Sequence, residues 1–195
     1  MTITGLILAG GRGTRMGSVD KGLQIFRGMP MAQHVATRLR PQVTHMMINA
    51  NRHLAEYAAI CAPVWPDAMP DFAGPLAGLQ TGLMHCHTPW LVTAPCDSPC
   101  LPEDLVVRLH TGLQLQHADM AVAVTGPSDQ AQSHPVFCLV NTSVLPHLTD
   151  FLQSGGRKFD AWYATLSVAH VHFDDDAAFR NINTLDELHQ FDNDA

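Results

Sequence analysis

Short apolar runs alternate along the chain with stretches whose apolar residues recur every three or four positions. The run ITGLIL (3–8) is nearly uninterrupted and ends before Gly10-Gly11, which predicts a buried strand. Residues 31–40, MAQHVATRLR, place Met31, Val35 and Leu39 four apart, a helical face stopped by Pro41. The same reading predicts strands over 44–50, 62–67, 90–95, 119–125, 135–140 and 168–173. Helices are predicted over 53–61, 74–86, 102–115, 142–153, 157–166 and from Leu185 to Phe191. Pro75 suits the first turn of its helix, and Glu103 and Asp104 suit the positive end of the next. Strands alternating with helices predict an α/β fold, a Rossmann-like open, mostly parallel sheet with helices on both faces and right-handed crossovers.

Length and composition narrow the class. At 195 residues, 46% of them hydrophobic, the chain can form one ordinary core, and no linker or repeat divides it. No apolar run approaches the roughly 20 residues that cross a bilayer, and no secretory signal pattern opens the chain. The expected setting is the cytoplasm, without a membrane. A net charge of −7 argues against a nucleic-acid partner, which would call for a basic stripe. The five cysteines form an odd, unpatterned set, read as free thiols, several of them buried. Twelve histidines include His85-x-His87 and His170-x-His172, but neither pair has a zinc-finger spacing, and scattered histidines are the preferred reading.

The polar positions are most unusual at LAGGRGTRMGSVDKG (8–22), where five glycines gather with Arg12, Arg15 and Lys21. It is neither a Walker loop, because Leu23 and Gln24 stand where Lys and Ser/Thr belong, nor a dinucleotide fingerprint, because Met16 replaces the third glycine. The physical ingredients remain. Glycines let backbone N–H groups turn toward a ligand, successive N–H groups form an anion-binding concavity, and Arg grips phosphate bidentately. The loop is therefore expected to bind a polyphosphate.

Other polar residues fall at strand ends: Asn49 and Asn51 after the second strand, Asp67 after the third and Asp97 after the fourth. In a parallel sheet these ends share one edge, where ligands bind. A carboxylate directly after an apolar strand is costly unless it caps a turn or holds a cation. Prolines at 95, 99 and 102 favour the first explanation for Asp97, and the neighbouring polyphosphate loop favours the second, Mg2+. Asn181 and Asn183 alternate onto one side of an extended segment after the last strand. GGRK (155–158) is a second basic segment, with Arg157 and Lys158 either attracting an acceptor phosphate or ending a helix as solvated charges.

The chain resembles nucleotidyltransferases whose first loop reads L-A-G-G-x-G-x-R-M followed by a lysine, and more narrowly the molybdenum cofactor guanylyltransferases. NANR (49–52), GPLAG (74–78), PCDSP (95–99), HP (134–135) and NINTLDEL (181–188) follow in the expected order. The resemblance implies a nucleotide-diphospho-sugar transferase-like fold. It divides the single domain into a nucleotide-binding half, about 1–100, and an acceptor-binding half, about 101–195. GTP would contact Leu8, Ala9, Gly10, Gly11, Lys21, Asn49, Asp67 and Asp97, with Asn181 and Asn183 as further polar contacts. Arg15, Lys21 and Asp97 would carry catalysis, with Mg2+ on Asp97. The implied acceptor is molybdopterin or Mo-molybdopterin, acting through its terminal phosphate, and pyrophosphate leaves. The implied enzyme is a monomer that deals with chaperones specific to molybdoenzymes. Two rivals stay open from the residues alone: a nucleotidyltransferase acting on a sugar phosphate or adding cytidylate to the pterin, and a nucleotide-binding module without turnover.

Overall fold

In the computed structural model, residues 2–11, 20–69, 74–127, 130–182 and 187 are described. The first apolar run forms β1 (Ile3–Leu8), buried along its whole length. Its side chains alternate between two cores: Ile3 and Ile7 join one, Leu6 and Leu8 the other. That two-sided burial is why the run lacks polar alternation.

From Asp20 the chain makes a 3-10 turn (Lys21–Leu23), a small hairpin of β2 (Ile25–Phe26) and β3 (Met29–Pro30), and then α1 (Met31–Leu39). β4 (His45–Asn49), α2 (Leu54–Ile60), β5 (Val64–Trp65), α3 (Pro75–Met84) and β6 (Trp90–Pro95) complete the first half. α4 (Leu105–Gln116), β7 (Met120–Thr125), β8 (Gln132–Asn141), α5 (Leu145–Gln153), α6 (Phe159–Tyr163) and β9 (Val168–His172) follow. Val35 and Leu39 of α1, Tyr57 of α2 and Leu109 of α4 pack on one face of the sheet. Leu79 of α3, Leu148 of α5 and Trp162 of α6 pack on the other.

The seven-stranded sheet runs β5-β4-β1-β6-β8-β7-β9. β1 pairs in parallel with both β4 and β6, so the chain first builds outward on one side of β1 and then crosses to the other. The crevice at the carboxyl end of such a reversal is where open α/β sheets bind ligands. β8 departs from the parallel pattern, lying antiparallel to both β6 and β7. Its pairing with β6 ends at Thr93↔Cys138, while β6 pairs with β1 as far as Pro95. Its register with β7 breaks between Val122 and Ala123, whose partners are Cys138 and His134. The irregularity accommodates Pro135, which has no N–H to give a central strand.

Most predicted elements stand within a few residues of their expected bounds. The exceptions are β5, cut to two residues beside Pro63 and Pro66, and α6, shorter than the expected 157–166. β8 starts at Gln132, earlier than expected, and the β2–β3 hairpin has no counterpart in the apolar pattern. The helix expected to end at Phe191 lies outside the described residues apart from Glu187.

Candidate functional site

The carboxyl ends of β1, β4, β5 and β6 form one rim. Leu8 is in register with Asn49 on one side and Pro95 on the other. The backbone stitches these ends together: Ala9 N–H donates to the Asn49 carbonyl at 2.8 Å and Cys96 N–H to the Leu8 carbonyl at 3.1 Å. Leu8, Ala9, Gly10, Gly11, Asn49, Asp67 and Asp97 are thus all placed along this rim.

Around Gly10 the rim is a closed polar network. Asn49 Nδ2 donates to Asp67 Oδ1 and Asn51 Nδ2 to Asp67 Oδ2, both at 2.8 Å. Asn51 Nδ2 also reaches the Gly10 carbonyl at 3.1 Å, and its Oδ1 accepts from Asp67 N–H at 2.8 Å. A side chain on Gly10 would place its Cβ 2.8 Å from Asn49 Oδ1 and 3.0 Å from Asn51 Nδ2. Glycine is needed at that position for close approach. Gly78 of α3 works alike from the other face, since a Cβ there would collide with Asn49 Oδ1 and Leu8.

Asp97 follows β6 and is only 8% exposed. Its Oδ2 accepts from Lys21 Nζ at 3.1 Å, across 76 positions of sequence. The Asp97 carbonyl accepts from Ile182 N–H at 2.9 Å, and Ser98 Oγ bonds Asn181 Oδ1 at 2.6 Å. The segment after β9 is thereby tied to the Asp97 turn, bringing Asn181 to the rim. Arg15 and Asn183 lie outside the described residues.

Beneath Lys21, Cys96 is buried, and burial pushes its thiol well above the ordinary range, with the charges of Asp97 and Asp20 adding to the effect. It is a packing residue, held against Gly22, whose hypothetical Cβ would sit 3.1 Å from the sulfur. Cys61 and Cys138 are likewise buried free thiols, with burial raising Cys138 to about 12.

A cavity of about 580 Å3 opens where β8 parts from β6. Pro95 and Asn181 form its side toward Asp97, and His134, Phe137, Phe179, Arg180 and Glu187 line the remainder. His134 stacks on Phe179 with centroids 4.9 Å apart and planes 21° apart, and its Nε2 is 2.8 Å from Thr125 Oγ1. Burial lowers its pKa, opposed by the charge of Asp176. The irregular register of β8 turns the HP pair toward this space. Arg157 does not line it: its Nη1 donates to the carbonyls of Leu152 and Gly156 at the end of α5, at 2.8 and 2.7 Å, and Lys158 is not among the lining residues either.

Asn51, Asp20 and Tyr57 complete the site beyond the residues singled out as ligands. The N-x-N spacing after β4 carried a signal for Asn51. Nothing local marked Tyr57, a buried aromatic on a short helix.

Among the described residues no group of three or more His, Cys, Asp or Glu comes together as a metal cage. A single buried carboxylate beside Lys21, on the rim that Gly10 and Gly11 share, suits Mg2+, which takes one or two carboxylates and completes its shell with phosphate oxygens and water. The donor chemistry fits such an ion and is too sparse for a self-sufficient protein site.

The switch-point crevice and the buried carboxylate facing the lysine fit a nucleotidyltransferase. Residues 5–168 match the family model described as "MobA-like NTP transferase domain". The chain is 60% identical over 188 residues to a molybdenum cofactor guanylyltransferase of Bordetella petrii, covering 96% of each. Its fold matches molybdopterin-guanine dinucleotide biosynthesis protein A of Archaeoglobus fulgidus, with a TM-score of 0.78 at 20% identity and 97% of each chain covered. It also matches 4-diphosphocytidyl-2C-methyl-D-erythritol synthase of Anaerococcus prevotii, with a TM-score of 0.77 at 10% identity over 98% of this chain and 97% of that one. This chain belongs to the molybdenum cofactor guanylyltransferase family. Among the described residues, no helix is long and apolar enough to cross a membrane.

Proposed function

We propose that the protein transfers GMP from GTP to the terminal phosphate of molybdopterin or Mo-molybdopterin, releasing pyrophosphate. The observation that carries this reading is the Lys21–Asp97 pair at the switch-point rim, next to a cavity of a size to hold a second substrate. The triphosphate lies along the amides of the glycine loop, with Leu8, Ala9, Gly10 and Gly11 lending backbone and Asn49 and Asp67 fixing the rim's shape. The acceptor occupies the space beside Pro95 and Asn181, against the His134–Phe179 stack, whose planar face suits a planar heterocycle.

An acceptor phosphate oxygen attacks the α-phosphorus as the bond to the β-phosphate oxygen breaks, and no protein nucleophile is needed. Catalysis then rests on alignment and charge stabilisation. Lys21, Arg15 and the loop N–H groups hold the negative charge that builds on the departing pyrophosphate. Asp97 would hold Mg2+, which would supply neutralisation of phosphate charge during transfer. Asn181, fastened to Ser98, borders the acceptor's entry. The protein works in the cytoplasm as a monomer and hands its product to molybdoenzyme-specific chaperones.

The test is pyrophosphate release on mixing the protein with molybdopterin, Mg2+ and each nucleoside triphosphate in turn. Release with GTP and not CTP is expected. Release with CTP alone would mark a cytidylyltransferase, and GTP binding without release would mark a binding module.

A further inference from the structure

Tyr57 is fully buried on α2, yet its hydroxyl crosses 37 positions to reach Asp20, the residue before Lys21. Its O–H donates to Asp20 Oδ1 at 2.5 Å. Burial pushes the phenol far above its ordinary range, with the charge on Asp20 adding to the effect, so the hydroxyl stays a donor. Gly22 lies directly against it, since a Cβ there would come within 2.5 Å of the hydroxyl oxygen. The 3-10 turn at Lys21–Leu23 therefore packs at Gly22 against both the tyrosine hydroxyl and Cys96, which meet where its side chain would stand.

The electrostatic problem at this point is specific. Asp20 is Lys21's immediate neighbour in the chain, and Asp97 Oδ2 already accepts from the Lys21 ammonium at 3.1 Å, so a second carboxylate adjoins a residue that one carboxylate already holds. A carboxylate free to pair with Lys21 would neutralise it, draw it from Asp97 and repel a triphosphate. A hydrogen bond from a buried donor spreads the charge of Asp20 and fixes its direction.

We infer that Tyr57 is a positioning residue whose hydroxyl sequesters the Asp20 carboxylate, keeping the Lys21 ammonium for Asp97 and for incoming nucleotide phosphate. The inference rests on the reading of this rim as a GTP site and adds the device that keeps its lysine available. Gly22 is required because that device occupies the space of its side chain.

The experiment pairs Tyr57→Phe with Asp20→Asn and reads GTP binding by calorimetry, GMP transfer by pyrophosphate release, and thermal unfolding. Tyr57→Phe should weaken GTP binding about tenfold, the scale set by losing a hydrogen bond to a charged group. Adding Asp20→Asn should return affinity to within about threefold of wild type, since the stray charge is then gone, while leaving the unfolding temperature of Tyr57→Phe unimproved. A purely structural tyrosine would lower thermal stability without that recovery, and loss of GTP affinity that Asp20→Asn does not mend would overturn the inference. Should Tyr57→Phe fail to fold, Gly22→Ala, which drives a methyl into the hydroxyl, replaces it with the same expected loss and recovery. Wild-type protein that binds GTP without transferring GMP would count against the catalytic reading while leaving the binding test of Tyr57 decisive.

Discussion

Asp97 is the side chain whose surroundings say most about its role. A carboxylate 8% exposed and met by one ammonium on Oδ2 is balanced in charge inside the fold. Asp97→Ala should abolish Mg2+-dependent turnover with circular dichroism unchanged; near-normal turnover at ordinary Mg2+ would remove the metal from this residue. Lys21→Ala should cut kcat/KM on the order of a hundredfold, the usual cost of losing a charge-stabilising donor, and a tenfold or smaller loss would reduce Lys21 to a structural role. His134 supplies a pH signature. Its folded-state pKa lies below the ordinary value of 6.5, so below that pH the unfolded chain binds the extra proton and stability falls as pH falls. Melting temperatures from pH 7.5 to 5.5 should therefore drop more steeply for wild type than for His134→Gln; equal slopes would show the imidazole not to be held neutral. Residues with a conspicuous local pattern, such as Lys21, Asp97 and the Asn49-x-Asn51 pair, were legible in the sequence. The partners that set them were not, because Tyr57 and Asp20 meet only after α2 has folded onto the sheet.

At the level of elements, α3 shows how packing overrides propensity. Gly78 and Gly82 stand one turn apart on its inner face, and a Cβ at Gly82 would run into Leu6 and lie 3.2 Å from Leu91. By propensity alone, Gly→Ala in a helix is favourable by about 1 kcal/mol. Here the collision wins, and Gly82→Ala should destabilise by about 1–3 kcal/mol in chemical denaturation. Met84→Ala, at a 52% exposed position of the same helix, should stay within about 0.5 kcal/mol. A stabilised Gly82→Ala would mean that α3 can lift from β1 without cost. The helices were readable because their apolar spacing is long enough to carry a period. β5 and the β2–β3 hairpin were too short for any period, and an apolar run such as that of β8 bears no mark of its direction. The short connection from β7 did carry one, since a parallel crossover needs a dozen residues or more.

For the whole molecule, the order of strands does the assembling. Because β1 lies between β4 and β6, loops separated by most of the first half of the chain meet at one crevice, and the antiparallel β8 opens the second cavity beside it. A sheet of alternating strands and helices was legible from the sequence; the cavity that β8 opens by parting from β6 emerged only from pairing. The proposed transfer between a nucleotide side and an acceptor side rests on that geometry. Its most direct test is to follow label from GTP carrying 32P at the α or the γ position, with molybdopterin, Mg2+ and protein. The account predicts that α label appears in the pterin product while γ label leaves entirely as pyrophosphate, and that both fates vanish in Asp97→Ala. Transfer of γ label to the pterin, or release of orthophosphate in place of pyrophosphate, would contradict it.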